Sequence, residues 1–447
     1  MDGDTNIMSL NSANTSTGLA AVRAAWQLGD PVAVENALDA WKLAGGAADA
    51  EYWLRRVYAD ACLERSTLAA SVKSAERLVR ASGDEIALAR VAASVIDALY
   101  SDWQPSRGAR VWLDVLRGVA FARLESLPLQ YRLEIAVGLL AADLFGEALA
   151  SAGQVAESVP DWSDQAVDVS PAVRGNALGY ALEYFSGQRR WQTARVLIER
   201  IDRLGAETGF GSVSRARVAA RRGFYYHYRR GDYAGALHLS DAAVEYARLS
   251  GVTRAAREAG ITITLCRLMH GDVSKAAQAL ADEEAAMPHD HPMLRANNHY
   301  ERSWWHGLRR DVVSAQRELD TACRLFAEID EHGVMSLATP SMQAQLLLQV
   351  GEYDLALRVY EMRTRRPDAW LVDMGLIEAC AALAARDNER AVVALKRGLA
   401  VAARIELKGC FWACRDELQQ LFRFALDQNI EPDWVRSVCA ARLISLA

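Results

Sequence analysis

Gly231-Asp-Tyr-Ala-Gly-Ala-Leu237 and Gly351-Glu-Tyr-Asp-Leu-Ala-Leu357 decide how this chain folds. In each, a glycine ends one helix where the backbone must leave the right-handed region. An acid then caps the free N–H groups of the next helix, and an alanine five positions after the glycine lets the two helices approach. The same order recurs at Gly271-Asp-Val-Ser-Lys-Ala-Ala277, Arg310-Asp-Val-Val-Ser-Ala-Gln316 and Arg386-Asp-Asn-Glu-Arg-Ala-Val392. Carried along the chain, the register places alanines at Ala37, Ala75, Ala109, Ala148, Ala194, Ala236, Ala276, Ala315, Ala356 and Ala391, at spacings of 34 to 46 residues. Four residues further a larger apolar group usually follows, at Trp41, Val79, Leu113, Ile198, Leu280, Leu319, Tyr360 and Leu395, with Ala152 and Ser240 as exceptions. That offset is one helical turn, so the second helix of each unit buries a stripe against its neighbours. Self-similarity at this period marks a helical solenoid. The expected fold is all-α, a right-handed superhelical solenoid of about ten helix pairs.

Composition agrees with that fold. Hydrophobic residues make up 51% of the 447, prolines number only 10, and Ala, Leu and Arg are abundant, which favours helix over sheet. A chain of this length would ordinarily hold about three domains, but a repeat array grows by stacking. One continuous repeat domain is therefore expected over 21–446, after a polar, disordered leader at 1–20. Bends are expected near 158–171, at Pro160 and Pro171, and near 287–293, at Pro288 and Pro292, where proline should stop helices. There is neither a basic segment leading an apolar core nor a run of eighteen apolar residues, so a cytoplasmic chain without membrane contact is expected. The odd set of seven scattered cysteines reads as reduced thiols. A net charge of −6 argues against direct nucleic-acid binding, since such affinity rests on neutralised phosphates.

The Gly-Asp/Glu-Tyr-x-x-Ala pattern at Gly231 to Ala236 and Gly351 to Ala356 resembles the turn and second helix of the tetratricopeptide repeat. The longer period resembles the sensor solenoid of maltose-activator-like, LuxR-type large ATP-binding bacterial transcriptional regulators. The tail Leu421-Phe-Arg-Phe-Ala-Leu-Asp-Gln-Asn-Ile-Glu-Pro-Asp-Trp-Val-Arg-Ser437 is similar to the segment that closes such solenoids. The resemblance implies transcriptional control, with the nucleotide switch and DNA contact supplied by domains not visible in this sequence.

For a binding surface the richest segment is Ser214-Arg-Ala-Arg-Val-Ala-Ala-Arg-Arg-Gly-Phe-Tyr-Tyr-His-Tyr-Arg-Arg-Gly-Asp232, with six arginines among aromatic rings. Counting back from Ala236 at helical phase turns Arg221, Tyr225, Tyr228 and Arg229 toward a concave groove, and the same count from Ala315 selects Asn297, Tyr300 and Trp304. Arginine forks bind carboxylate or phosphate, and Tyr and Trp offer rigid faces with a polar edge. The competing reading is that these rings pack between helices and the arginines form a solvated face.

No metal or cofactor is assigned. His289, His291, His299 and His306 are zinc-type ligands, but the last two stand seven apart on one helix, about 10 Å along its axis. Cys410 and Cys414 read as a helical thiol pair, and acids such as Glu283-Glu284 as helix-end residues in solvent. No phosphate loop, dinucleotide fingerprint, nucleophile elbow or His-Glu-x-x-His is present, so the chain reads as non-enzymatic. The function expected is an effector-sensing or partner-binding module that holds a small acidic molecule or peptide in its groove. A constitutive protein–protein adaptor and, more weakly, an enzyme with an unfamiliar site stay open. The amphipathic end Trp434–Leu446, without a charged cap, points to homodimer contact.

Overall fold

The computed structural model describes residues 20–27, 29–63, 65–101, 109–144, 149–208, 211–250, 253–287, 291–329, 339–361, 368–408, 415–442 and 444–446. Helices and short turns account for them, with no strand among the described residues, so the all-α expectation holds. They gather into two compact units. The first comprises Met1–Arg221 and Ala242–Ala256, the second Arg222–Asp241 and Arg257–Ala447. No described helix is long and apolar enough to cross a membrane.

The quoted turns close as their residues dictate. Gly271 takes φ 72°, its N–H donates to the Leu268 carbonyl at 3.0 Å, and the Asp272 N–H donates to the Arg267 carbonyl at 3.2 Å. This double closure satisfies the last carbonyls of the preceding helix. Asp272 Oδ1 then accepts from the Lys275 N–H at 3.0 Å and caps the helix that follows. Closures of the same kind occur at Gly231, Arg310, Gly351 and Arg386, and Asp232, Asp311 and Asp387 cap in the same way. Arg310 and Arg386 stand at φ 61° and 59°, where a side chain costs about 1–2 kcal/mol.

The alanine register is a burial register. Ala75, Ala109, Ala194, Ala236, Ala276, Ala315, Ala356 and Ala391 are each 3% exposed or less. Ala37 is half-buried, beside the buried Val34 and Leu38, and Ala148 lies outside the described residues. Every residue four positions on is buried, including the exceptions Ala152 and Ser240. In the first unit Ala50–Cys62 packs on Leu68–Ser82, Leu129–Leu144 on Ala152–Gln165, and Pro171–Gly187 on Trp191–Thr208. In the second, Pro292–Leu308 packs on Val312–Ile329, Thr339–Gln349 on Tyr353–Glu361, and Asp368–Ala384 on Asn388–Arg404. Close packing needs small residues. A Cβ on Gly375 would stand 2.7 Å from the Gly398 Cα, and one on Gly138 would stand 2.4 Å from the Ala93 Cα.

First helices also lie against first helices. Glu85–Ser101 touches 50–62 on one side and 129–144 on the other, and 171–187 touches both 129–144 and Ser212–Arg221. A helix enclosed on several sides removes its polar side chains from water, so they must find partners there. Arg55, Asp60, Arg90, Asp97, Arg174, Glu183, Arg221, Arg254 and Glu301 are buried, and all sit on first helices.

One proline expectation is corrected. Pro160 lies inside the helix Ala152–Gln165, where the buried Val155, Val159 and Trp162 hold the segment helical through the missing N–H. Pro171 and Pro292 open helices, because the first helical position needs no N–H partner. Pro288 lies outside the described residues.

Candidate functional site

In the first unit, Glu51 and Glu134 alternate with Arg55 and Arg90 in a closed ring of ion pairs. Arg55 Nη2 stands 2.5 Å from Glu51 Oε1 and Arg55 Nη1 3.1 Å from Glu134 Oε1. Arg90 Nε reaches Glu134 Oε2 at 2.6 Å and Arg90 Nη2 reaches Glu51 Oε2 at 3.1 Å. Each guanidinium also covers a ring: Arg55 lies 3.6 Å above Trp26 and Arg90 4.0 Å above Tyr131. Burial alone would raise the Glu134 carboxyl, but Arg55 and Arg90 outweigh it and hold it below its ordinary value.

Over this ring opens a pocket of about 530 Å³, lined by Val22, Arg23, Trp26, Gln27, Leu38, Trp41, Ala47, Asp49, Glu51, Tyr52, Arg55, Gln130 and Tyr131. That volume falls within the range of small-molecule sites. Its floor is buried, with Leu38, Trp41, Tyr52, Trp26 and Arg55, while Arg23, Gln27, Ala47 and Asp49 stand exposed at the rim. Two acids at the mouth are already engaged. Glu51 belongs to the ring, and Asp49 Oδ1 caps helix 50–62 by accepting from the Tyr52 N–H at 2.9 Å. Trp41 is fixed by its indole N–H, which donates to the Ala47 carbonyl at 3.2 Å.

A second, smaller cavity of about 60 Å³ shares Trp26 as a wall and is lined also by Tyr58, Ser94, Asp97, Glu134, Asn176, Ser214 and Arg217. Beside it Asp97 Oδ1 accepts from the Tyr180 hydroxyl at 2.6 Å and from Arg217 Nη2 at 2.7 Å. Arg221 lies 3.7 Å above the Tyr180 ring, donates to Asn176 Oδ1 at 2.6 Å and stands 3.8 Å from Asp97. Burial works against the Asp97 charge, yet Arg217 and Arg221 keep its carboxyl below the ordinary value.

The residues expected at a groove are divided. Arg221 belongs to the first unit, and Tyr225, Tyr228, Arg229, Asn297, Tyr300 and Trp304 belong to the second. Arg221, Tyr228 and Trp304 are buried. In the second unit Arg229 lies 4.8 Å from the Tyr225 ring, Tyr228 stacks on Phe224 at 5.4 Å, and Tyr300 stands 6.3 Å from Trp304. Asn297 Nδ2 donates to Glu301 Oε1 at 3.0 Å, and the Tyr300 hydroxyl donates to Gln345. Backbone phase explains the difference: Ser212–Arg221 is α-helical but Arg222–Tyr228 is a π-helix. Its i→i+5 bonding breaks a count made at 3.6 residues per turn.

Other sequence readings are altered as well. Glu283 is no solvated helix-end acid. It accepts from the Thr264 hydroxyl at 3.0 Å and shares a hydrogen bond with the fully buried Glu301. Burial and the neighbouring acid push the Glu301 carboxyl well above its ordinary value, and burial raises Glu283. His291 caps helix 292–308, His299 pairs with Glu318 at 2.6 Å and His306 with Asp311 at 3.3 Å. His289, Cys410 and Cys414 lie outside the described residues. Glu134, between Leu133 and Ile135, and Asp97, between Ile96 and Ala98, were marked in the sequence only as lone charges inside apolar first helices. No protein-family model matches the chain, and no curated protein is detectably similar to it.

Proposed function

We propose that this chain is a non-enzymatic helical-repeat module of tetratricopeptide-like pairs, arranged as a right-handed superhelix, that binds a small effector or peptide and reports its presence to a transcriptional regulator. The observation that carries the reading is the 530 Å³ pocket, whose rigid aromatic floor meets a rim of charged and amide side chains. Apolar area with a few oriented polar groups is the make-up of a small-molecule site. The walls come from helices 20–27, Pro31–Leu43, 50–62 and 129–144. A ligand touching all of them favours the arrangement in which its contacts form together, and it shifts a conformational equilibrium only by its difference in affinity for the two states.

A thermal-shift screen of metabolites against the full chain tests this. A true effector raises the melting temperature by mass action, by about 2.7 kcal/mol of stability at a hundredfold excess over its Kd. The rise is expected to vanish in Arg23→Glu, which alters the exposed rim. No shift with any compound, combined with capture of a protein partner that Arg23→Glu leaves intact, would overturn the reading in favour of an adaptor.

A further inference from the structure

Thr264, Glu283 and Glu301, from helices Arg254–His270, Val273–Ala286 and Pro292–Leu308, meet inside the second unit, where two carboxyls have too few donors between them. Glu301 is fully buried and Glu283 half-buried. Each has one oxygen answered. Glu283 Oε2 accepts from the Thr264 hydroxyl at 3.0 Å, and Glu301 Oε1 accepts from Asn297 Nδ2 at 3.0 Å. The other two oxygens, Glu283 Oε1 and Glu301 Oε2, are cut off from water and meet no donor as long as both groups are ionised. The two carboxyls nevertheless stand within hydrogen-bond reach of each other. Two carboxylates so placed repel, and a buried acceptor without a donor carries its full desolvation cost. A proton between them removes both penalties, because a protonated carboxyl is itself a donor.

The surrounding groups decide which acid carries it. Thr264 and Asn298 face Glu283, and Arg302 adds positive charge there while its guanidinium donates to Asn298 Oδ1 at 2.9 Å and to Glu284. Glu301 faces Asn297 and the phenols of Tyr300 on its own helix and Tyr228 on 222–228, none of them a cation. From Val312–Ile329, Glu318 is engaged with His299 at 2.6 Å. Glu283 is therefore the better-stabilised anion. We infer that Glu283 and Glu301 share a single proton, carried by Glu301 and donated to the Glu283 carboxylate, and that this bond is a pH-dependent clasp between helices 273–286 and 292–308. Loss of the proton leaves two carboxylates face to face, and one must turn out to water, which parts the helices. The clasp lies beyond the binding role proposed above and does not depend on it. Its sign follows from burial, which raises both carboxyls in the folded state: the clasp is complete below the ordinary glutamate value of about 4.3 and is lost as pH rises through the folded value.

Amide hydrogen exchange of the full chain tests the clasp, read as the opening constant of helices 273–286 and 292–308 from about pH 5.5 to 8 after correction for the intrinsic rate. Opening that releases one proton makes this constant rise about tenfold per pH unit until the folded value is passed. In Glu301→Gln an amide of the same shape donates to Glu283 without a titrating proton. His299 and His306 are present in both proteins, so the protons they exchange cancel in the ratio of wild type to variant. That ratio is expected to rise about tenfold per pH unit from the low end of the range. Glu301→Gln and the double variant Glu283→Gln/Glu301→Gln are expected to keep a constant ratio, because Glu283 is already ionised. The infrared carbonyl band of a protonated carboxylic acid gives a second reading that needs no substitution, and it is expected in wild type at pH 6. A wild-type ratio that does not move with pH, or absence of that band, shows that Glu301 holds no proton and overturns the inference. A ratio between single and double variants that rises with pH puts a second proton on Glu283 and overturns the sharing.

Discussion

Replacing Asp97 with asparagine keeps the shape of its carboxyl and an acceptor for the Tyr180 hydroxyl, but it removes the negative charge that faces Arg217 and Arg221. Arg217 loses its 2.7 Å partner, and Arg221 keeps only Glu183, at 3.9 Å, as an acid within reach besides its bond to Asn176. Removing one member of a buried ion pair costs about 3–5 kcal/mol, because the remaining charge loses the neighbour that offset its desolvation. For a unit of roughly 240 residues, at about 2–4 °C per kcal/mol, the melting temperature should fall by roughly 6–20 °C. Adding Arg217→Met should recover part of that loss, and a double-mutant cycle should show coupling of about 0.5–3 kcal/mol. The pH dependence carries a sign. Asp97 is held below its ordinary pKa in the folded state, so its stabilisation is present above about pH 4 and is lost as pH falls through its folded value. Urea titrations of wild type and Asp97→Asn should therefore differ most at neutral pH and converge in acid. A melting temperature within about 2 °C of wild type, or a difference that does not shrink between pH 7 and 3, would refute the role given to this charge cluster.

Other outcomes follow from the same structure. Burial raises the carboxyls of Glu301 and Glu283 above their ordinary values in the folded state, so the stability this confers is present at low pH and is lost as pH rises; Glu301→Gln, measured by urea unfolding at pH 5 and pH 8, should be more stable relative to wild type at the higher pH. Arg386, exposed and at φ 59°, should tolerate glycine with a gain of about 1 kcal/mol, read as a rise in melting temperature. Gly375→Ala should cost about 1–3 kcal/mol by pressing on the Gly398 backbone, whereas Gly187→Ala, whose Cβ meets nothing within 4 Å, should be neutral or slightly stabilising.

Much of the fold was legible because it is local. The glycine or arginine before each acid, the cap and the alanine five positions on are all fixed by hydrogen bonds within one turn, and the register holds at Ala75, Ala109 and Ala194 as it does at Ala356 and Ala391. The site was not legible in the same way. Phase counted from Ala236 crosses the π-helix Arg222–Tyr228, so it cannot orient Arg221. The pocket gathers Arg23, Trp41, Arg55 and Tyr131 from helices whose neighbours in space are set by packing, not by sequence separation. The sequence did mark the charges involved, since an acid or arginine flanked by apolar residues on a first helix must be answered from another helix. What it lacked was the identity of the answering residue: Glu134 meets Arg55 across 79 positions and Asp97 meets Arg217 across 120.

Amide hydrogen exchange of the full chain, with and without a saturating compound found by the thermal-shift screen, tests the location of binding most directly. Protection is expected to rise in helices 20–27, 31–43 and 50–62 around the pocket. Protection confined to 222–228 and 292–308, with none around Trp26, would contradict the account and return the binding surface to the tyrosine-rich helices.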